Sequence, residues 1–198
     1  RNAKDDGIED CVDTLNGRRS GRNYKADSVE KEKIINILEA ATFAPSPVNK
    51  QPWEFIVVNN SDYKQKFRDA ADATRHKLAE RSGWKWLPAF NIDFLLQVPT
   101  LIGGIGDLSK NGGEQFLDDP GLGYLESCSC AIQNMLLTAH AQGLGSLWYS
   151  LFEKEDVRKI FDIPEEKDPL GLICIGYPER TGSAPARKSV EEKTRYID

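Results

Sequence analysis

The sequence predicts one α+β domain in which helices flank a mixed central β-sheet. Helical stripes of apolar residues alternate along the chain with short, continuous apolar runs, which is the pattern of a layered α+β unit. The length of 198 residues fits one domain of ordinary size. No internal repeat and no linker divides the chain. We therefore predict a single domain over residues 1–198.

The first half of the chain predicts two short helices, a strand and a long charged helix. Apolar residues at helical spacing open the chain and stop before an arginine-rich segment. A second helical stripe follows Asp27 and Glu30, which have the spacing of a capping box, and ends near Pro45. Residues 55–58 are apolar and largely β-branched, as in a strand covered on both faces. Residues 61–81 are charged and have helical propensity.

The second half predicts three more strands around one strong helix. The helical stripe over residues 125–139 is the strongest in the chain, and Gly143 follows it as a candidate C′ glycine. Residues 111–123 are rich in Gly, Asp and Pro and form a loop long enough to suggest a function. The remaining elements are strands at 98–105, 144–151 and 170–176 and a short helix at 153–161. The aromatic segment after Gly83 and the tail after Pro178 show no period.

Composition excludes several classes of protein. The formal net charge of −5 argues against a nucleic-acid-coating surface. Apolar residues make up 39% of the chain, yet no apolar run approaches the roughly 20 residues that span a bilayer. The four cysteines lack the spacing of a disulfide framework, which indicates reduced thiols and a cytoplasmic protein.

The sequence offers little side-chain chemistry for catalysis. Only two histidines occur, His76 and His140, and His140 lies in the strongest helical stripe. This makes a Ser-His-Asp triad improbable. No metal-ligand spacing is present, so we expect no metal site. The glycine-rich segments GGIG and GLGS match neither a dinucleotide fingerprint nor a P-loop. If the protein is an enzyme, a cofactor is expected to supply the reactivity.

The segment NGRRSGRNY gathers three arginines, Arg18, Arg19 and Arg22, around Ser20. In a glycine-containing loop these side chains could hold a phosphate through charge-assisted hydrogen bonds. The alternative is a basic helix C-terminus that interacts favourably with the helix dipole. A second basic pair, Arg187 and Lys188, lies in the tail and either completes a clamp on one dianion or is merely solvated. The residues alone leave both alternatives open.

The segment APSPVNKQPW is the second unusual stretch. Two prolines on either side of Ser46 fix an extended or turning backbone after a helix. Asn49 and Gln51 then present amide groups that both donate and accept hydrogen bonds, which suits the edge of a flat heteroaromatic ring. The alternative is a helix stop and a turn into the first strand, with the tryptophan in the core.

Together these motifs resemble the FMN-dependent nitroreductase family. The resemblance rests on RRSGR at 18–22, APSPVNKQPWEFIVV at 44–58, AIQNMLLTAHAQGLGSLW at 131–148, IGYPER at 175–180 and RKSVEE at 187–192, in the order seen in that family. The matched segments run from about residue 17 to 192, with gaps between 60 and 125. The first two motifs together are rather specific.

The resemblance implies a nitroreductase-like homodimer with FMN at the subunit interface, each site built from both chains. It also implies that the tail, residues 178–198, wraps the partner subunit. Carried over by position, the cofactor-binding residues would be Arg18, Arg19, Ser20, Arg22, Arg187 and Lys188 for the phosphate and the pyrimidine side. They would further include Pro45, Ser46, Pro47, Asn49 and Gln51 from the partner chain, and Trp148, Tyr149 and Ser150 beside the flavin N5 edge.

The chain departs from the family pattern at two places. Pro47 stands where many members carry serine, which removes a backbone donor and puts one flavin contact in doubt. The region from 60 to 125, which helps form the substrate lid in the family, matches no recognised subgroup, and residues 75–98 are the candidate lid. Within them Trp84, Trp86 and Phe90 could stack on an aromatic substrate, or they could be core or dimer contacts.

The expected function is that of an NAD(P)H-dependent FMN oxidoreductase that reduces nitroaromatic, quinone or similar acceptors by a ping-pong mechanism. No side chain is expected to act as a catalytic acid, base or nucleophile, because the flavin carries the chemistry. The alternatives are a specialised flavin reaction such as reductive dehalogenation, a flavin-binding or sensing protein without turnover, and a dimeric module that binds another anion.

Overall fold

A computed structural model describes residues 3–118 and 121–197 of the chain, with side chains for residues 10–113, 116–118 and 121–197. Residues 119 and 120 of the predicted long loop, and both extreme ends of the predicted domain, lie outside this part.

Within the described residues, helices and strands alternate as the sequence predicts. The helices are α1 (Ala3–Gly17), α2 (Lys31–Thr42), α3 (Ser61–Ser82), α4 (Phe94–Gln97), α5 (Gly123–Ala141) and α6 (Lys154–Phe161). The strands are β1 (Trp53–Val58), β2 (Thr100–Asp107), β3 (Gly145–Tyr149) and β4 (Lys167–Gly176).

The four strands form one sheet in the order β1-β2-β4-β3. Every pairing between neighbouring strands is antiparallel, so the prediction of a mixed sheet is corrected. A single parallel bridge, between Ser20 and Ser146, lies outside the named strands in the described part of the chain. The continuous apolar runs of β2 and β4 are explained by their central position, because both faces of each are covered.

Helices cover the two faces of the sheet and create two cores. On one face α2 and α5 pack over residues such as Ile102 and Ile173. On the other face α3, α4 and α6 pack over residues such as Leu101 and Leu172. The predicted α+β architecture, a central sheet flanked by helices, is therefore confirmed, and the alternation of neighbouring residues between the two cores is the period-two signature of a strand.

Three local predictions are corrected or refined. Glu30 itself is the N-cap residue of α2, and its side chain makes no capping hydrogen bond, so the predicted capping box is wrong. The unassigned aromatic segment contains a short 3-10 helix, Leu87–Ala89, followed by α4. The predicted C′ role of Gly143 is confirmed by its φ of 76°.

The described helices include none long and apolar enough to cross a membrane. All four cysteines are free thiols, as predicted. Cys128 and Cys174 are buried, whereas Cys11 and Cys130 are exposed.

Candidate functional site

The arginine-rich loop lies along the outer edge of β3. It begins where α1 ends at Gly17, and the backbone N–H of Gly21 donates to the Ser146 carbonyl at 2.9 Å. The Tyr24 hydroxyl closes the loop by donating to the Gly21 carbonyl at 2.7 Å. These bonds anchor a loop rich in cations to an otherwise open sheet edge.

The tail starts beside this loop. Tyr24 forms an antiparallel bridge with Pro178, and the N–H of Lys25 donates to the Tyr177 carbonyl at 2.8 Å. The N–H of Glu179 donates to the Asn23 carbonyl at 3.1 Å. These contacts direct the chain after β4 across the arginine loop.

The fold gathers Arg18, Arg19 and Arg187 into one positive cluster. Arg18 is half-buried, and burial lowers the pKa of its guanidinium, with further lowering by the like charges of Arg19 and Arg187. The described part of the chain shows no carboxylate in an ion pair with any of the three. Because like charges without a counter-ion destabilise a fold, the cluster suits an anionic ligand.

A cleft next to this cluster contains polar residues that the sequence did not single out as ligands. Its lining includes Arg18 and Arg19 together with His140, Ser146 and Arg180. His140 lies in the last turn of α5, and Arg180 follows the short bridge that starts the tail. Arg180 could have been found from the sequence, because it stands within the matched segment IGYPER; nothing in the helical stripe marked His140.

Arg22, the third arginine of the loop, contacts the aromatic segment after α3. Its guanidinium lies 5.6 Å from the centre of the Phe90 ring. Trp86 meets the same ring edge-on at 5.8 Å between centroids, and Trp84 stacks on Trp86 at 5.9 Å and 23°. The predicted substrate residues thus form one aromatic row that ends at a predicted cofactor residue.

Trp84 and Trp86 of the aromatic row lie at the surface, whereas Phe90 is partly buried and packs against the core on the α3 face, as the core alternative expects. Trp84 and Trp86 are 53% and 55% exposed, which rules out the alternative that they belong to the core of this chain. The fully buried Leu87 anchors the segment in the α3 face of the molecule. A guanidinium N–H of Arg75 donates to the carbonyl of Phe90 and fixes the other end.

At the end of β3, the side chains of Trp148 and Tyr149 pack within the chain. Trp148 is half-buried, and its indole N–H donates to the Leu170 carbonyl at 3.1 Å. A Cβ at Gly171 would collide with this indole, so glycine is required there. Tyr149 is buried on the opposite face of the sheet. Ser150, just past the strand, is exposed.

The loop from Pro45 to Gln51 has an unusual backbone. Val48, Asn49 and Gln51 have φ values of 51°, 54° and 46°, the left-handed region that non-glycine residues rarely adopt. The Ser46 hydroxyl oxygen accepts from the Gln51 N–H at 3.0 Å. Strained backbone that the surrounding structure maintains is common at functional sites.

A glycine contact holds this loop in place. Gly112 has a φ of 72°, and its Cα approaches Pro47 so closely that a Cβ would not fit. The long loop before α5 is therefore tied to the Pro45–Gln51 region. Pro47, the departure from the family pattern, makes this contact.

Within one chain, the two predicted halves of the site lie far apart. The arginine loop meets β3 at Ser146, which pairs with Ile175 of β4. Ile175 pairs with Thr100 of β2, one residue before Leu101, the partner of Val58 at the C-terminal end of β1. The Pro45–Gln51 loop precedes Trp53, at the near end of β1 on the other edge of the sheet. Three strand spacings and six residues of β1 separate these corners by about 20 Å. The fold brings Arg18, Arg19 and Arg187 together but leaves the Pro45–Gln51 loop distant.

Two further positions complete the predicted set. Ser20 is exposed in the arginine loop, and Lys188 is exposed beside Arg187 in the tail.

The described residues contain no group of three or more His, Cys, Asp or Glu side chains placed to hold a metal ion.

Comparison with known proteins gives consistent results. A model of the nitroreductase family matches residues 15–177. The chain is 32% identical over 173 residues to a Methanothermobacter thermautotrophicus protein provisionally named NADH dehydrogenase/NAD(P)H nitroreductase, covering 85% of this chain and 78% of the relative. It is 29% identical to the iodotyrosine deiodinase of Haliscomenobacter hydrossis, covering 86% and 80% of the two chains.

Solved structures show the same similarity. An oxidised iodotyrosine deiodinase bound to FMN and 3-iodo-L-tyrosine superimposes with a TM-score of 0.81 at 25% identity, covering 94% of this chain and 98% of that one. An FMN-dependent nitroreductase from Clostridium difficile R20291 superimposes with a TM-score of 0.68 at 29% identity, covering 94% and 98%.

Proposed function

Because this chain belongs to the nitroreductase family, we propose that it is an FMN-dependent oxidoreductase that uses NAD(P)H to reduce nitroaromatic, quinone or similar acceptors. The observation that carries this proposal is the cluster of Arg18, Arg19 and Arg187, which has no described carboxylate partner although the chain is acidic overall. A dianionic phosphate supplies the charge that this cluster lacks.

The residues of the chain fit FMN in chemical type. Arg18, Arg19 and Arg187 would hold the phosphate, with the Ser20 hydroxyl and Lys188 as further donors. Arg22, whose guanidinium lies 5.6 Å from the centre of the Phe90 ring, would serve the pyrimidine side, where reduced flavin develops negative charge. Backbone groups at Trp148, Tyr149 and Ser150 would face the N5 edge.

When bound, FMN accepts a hydride from the nicotinamide and passes the electrons on to the acceptor. The protein itself then needs only to bind the flavin and the substrates, orient them and shield them from solvent. His76 is exposed on α3, and His140 lies at the arginine cleft. A ping-pong cycle in which donor and acceptor occupy the same place in turn needs no catalytic side chain.

The complete site requires a homodimer. The Pro45–Gln51 loop lies about 20 Å from the arginine loop of its own chain, so both can contact one flavin only if a second chain supplies one of them. Large apolar side chains are also exposed at Val12, Leu15, Phe43, Val190, Tyr196 and Ile197. Three of these lie in the tail, which supports its proposed role in wrapping the partner subunit.

Sedimentation tests this assembly directly. We expect flavin absorbance to sediment with a dimer, and we expect dilution to release FMN as dimers dissociate. A monomer that retains FMN with native affinity would contradict the shared site.

Reductive dehalogenation is the second candidate, favoured by the TM-score of 0.81 to a deiodinase structure. An anaerobic titration followed by acceptor assays separates the candidates. Bleaching of the flavin by NADH or NADPH, followed by reoxidation with a nitroaromatic or a quinone, supports the proposed function. Reoxidation by 3-iodotyrosine alone favours dehalogenation, and a flavin that neither cofactor reduces indicates a binding protein without turnover.

The four free thiols support a cytoplasmic location, which we include in the proposal.

A further inference from the structure

A second positively charged cleft lies beside the proposed flavin edge. It shares no lining residue with the positive cluster of Arg18, Arg19 and Arg187. Its walls are one face of α3, carrying Thr74, Lys77 and Arg81, and the segment from Ser150 to Glu153 that follows β3. The N–H of Glu153 donates to the Thr74 hydroxyl oxygen at 3.2 Å, so the segment is fixed to the helix. Ser150 is one of the three residues expected beside the flavin N5 edge, and on that expectation an acceptor would approach this cleft.

The charges in this cleft do not balance. Lys77 and Arg81 stand four positions apart on α3, a spacing at which like charges repel. Glu153 is the acidic residue that lines the cleft, and it is already bonded to the Lys77 ammonium at 2.5 Å. The described residues give Arg81 neither a hydrogen bond nor an ion pair of its own, and Glu80 lies about 100° further round the helix.

We propose that this cleft binds an anionic group on the electron acceptor, with Arg81 as the residue that selects acceptors bearing a carboxylate. The inference deepens the proposed function and rests on it, because it takes Ser150 to lie at the flavin. The row of Trp84, Trp86 and Phe90, which begins three residues after Arg81, provides an aromatic surface. The substrate class is therefore a planar aromatic acceptor that carries a negative charge.

A planar guanidinium suits this role because it can donate two parallel hydrogen bonds to one carboxylate. The cleft is open to solvent, so the contribution of Arg81 is expected to be moderate. Lys77 becomes available as a second donor only when Glu153 releases it. Replacing Arg81 should therefore weaken anion binding, whereas replacing Glu153 should strengthen it.

Binding of benzoate and benzamide to the oxidised FMN-loaded protein tests the proposal without turnover. The probes have similar size and differ in charge, and their binding is followed by perturbation of the flavin absorbance. Arg81→Gln should weaken benzoate binding about three- to tenfold while leaving benzamide binding and flavin content unchanged. Glu153→Gln should strengthen benzoate binding about two- to threefold, because it frees Lys77.

Lys66→Gln is the matched control, since it removes one positive charge from the same helix about 22 Å away. It should change neither affinity. The proposal is overturned if benzoate binds no better than benzamide, if Arg81→Gln weakens both probes equally, or if Glu153→Gln weakens benzoate binding.

Steady-state kinetics with 4-nitrobenzoate and its methyl ester test the same idea on a reducible substrate. Arg81→Gln should raise KM for the acid but not for the ester. If neither compound is reduced, the proposed nitroreductase activity fails, while the benzoate experiment still decides whether the anion site exists.

Discussion

Replacement of Arg187 by glutamine should weaken FMN binding without weakening the fold. Arg187 is exposed in the tail, and its positive charge lies close enough to Arg18 to lower the pKa of that guanidinium. A charge-assisted hydrogen bond contributes about 1.5–3 kcal/mol, and each 1.4 kcal/mol is roughly a factor of ten in affinity. The loss of FMN affinity should therefore be about tenfold to a hundredfold.

The stability of the apoprotein should not fall, in contrast to the FMN affinity. Removing one of three like charges relieves repulsion, so the melting temperature of apo Arg187→Gln should equal or exceed that of the parent apoprotein. FMN affinity is measured by quenching of flavin fluorescence during titration with apoprotein, and melting by circular dichroism. Arg195→Gln makes the same change eight residues further along the exposed tail and is the control.

Two results would refute this reasoning. One is an unchanged dissociation constant for Arg187→Gln. The other is a loss of affinity accompanied by an equal loss of apoprotein stability, since that would assign Arg187 a structural role. Arg18→Ala should lose affinity by roughly tenfold to a thousandfold, because it combines the charge with partial burial.

Three further predictions, two of them with control variants, test other parts of the structure. Trp86→Ala should weaken binding of aromatic acceptors while flavin content and anaerobic reduction stay unchanged; unaltered acceptor kinetics would leave the aromatic row without a substrate role. Val48→Gly should raise the free energy of unfolding in urea by about 0.5–1 kcal/mol, because Val48 is 80% exposed and its φ of 51° strains a residue with a Cβ. The control Val190→Gly should give no gain, because Val190 is also exposed but has an ordinary φ of −61°. Tyr149→Phe should stabilise by about 1 kcal/mol, since the buried Tyr149 hydroxyl has no hydrogen-bond partner among the described groups. Tyr124→Phe, which removes a hydroxyl that donates to a buried carboxylate at 3.0 Å, should destabilise instead.

Much of the fold could be predicted from local patterns. The apolar stripe of α5 and the β-branched run of β1 report burial through periods that depend only on neighbouring residues. The capping box at Asp27 and Glu30 failed because a cap depends on side-chain geometry, and Glu30 makes no such bond. Strand direction also escaped the sequence, since β2 and β4 are buried on both faces whether their neighbours are parallel or antiparallel.

The candidate site likewise has features that the sequence determines and features that only the tertiary structure decides. The sequence alone determined which residue types are available: arginines without nearby acids, amides after two prolines, and a row of aromatic residues. Only the tertiary structure decided their neighbours, because proximity between residues far apart in the chain depends on the path of the whole backbone. It placed Arg187 beside Arg18, Arg22 beside Phe90 and Arg81 beside Ser150 and Glu153. It also left the Pro45–Gln51 loop at the opposite corner of the sheet, a separation set by strand order, which no local pattern encodes.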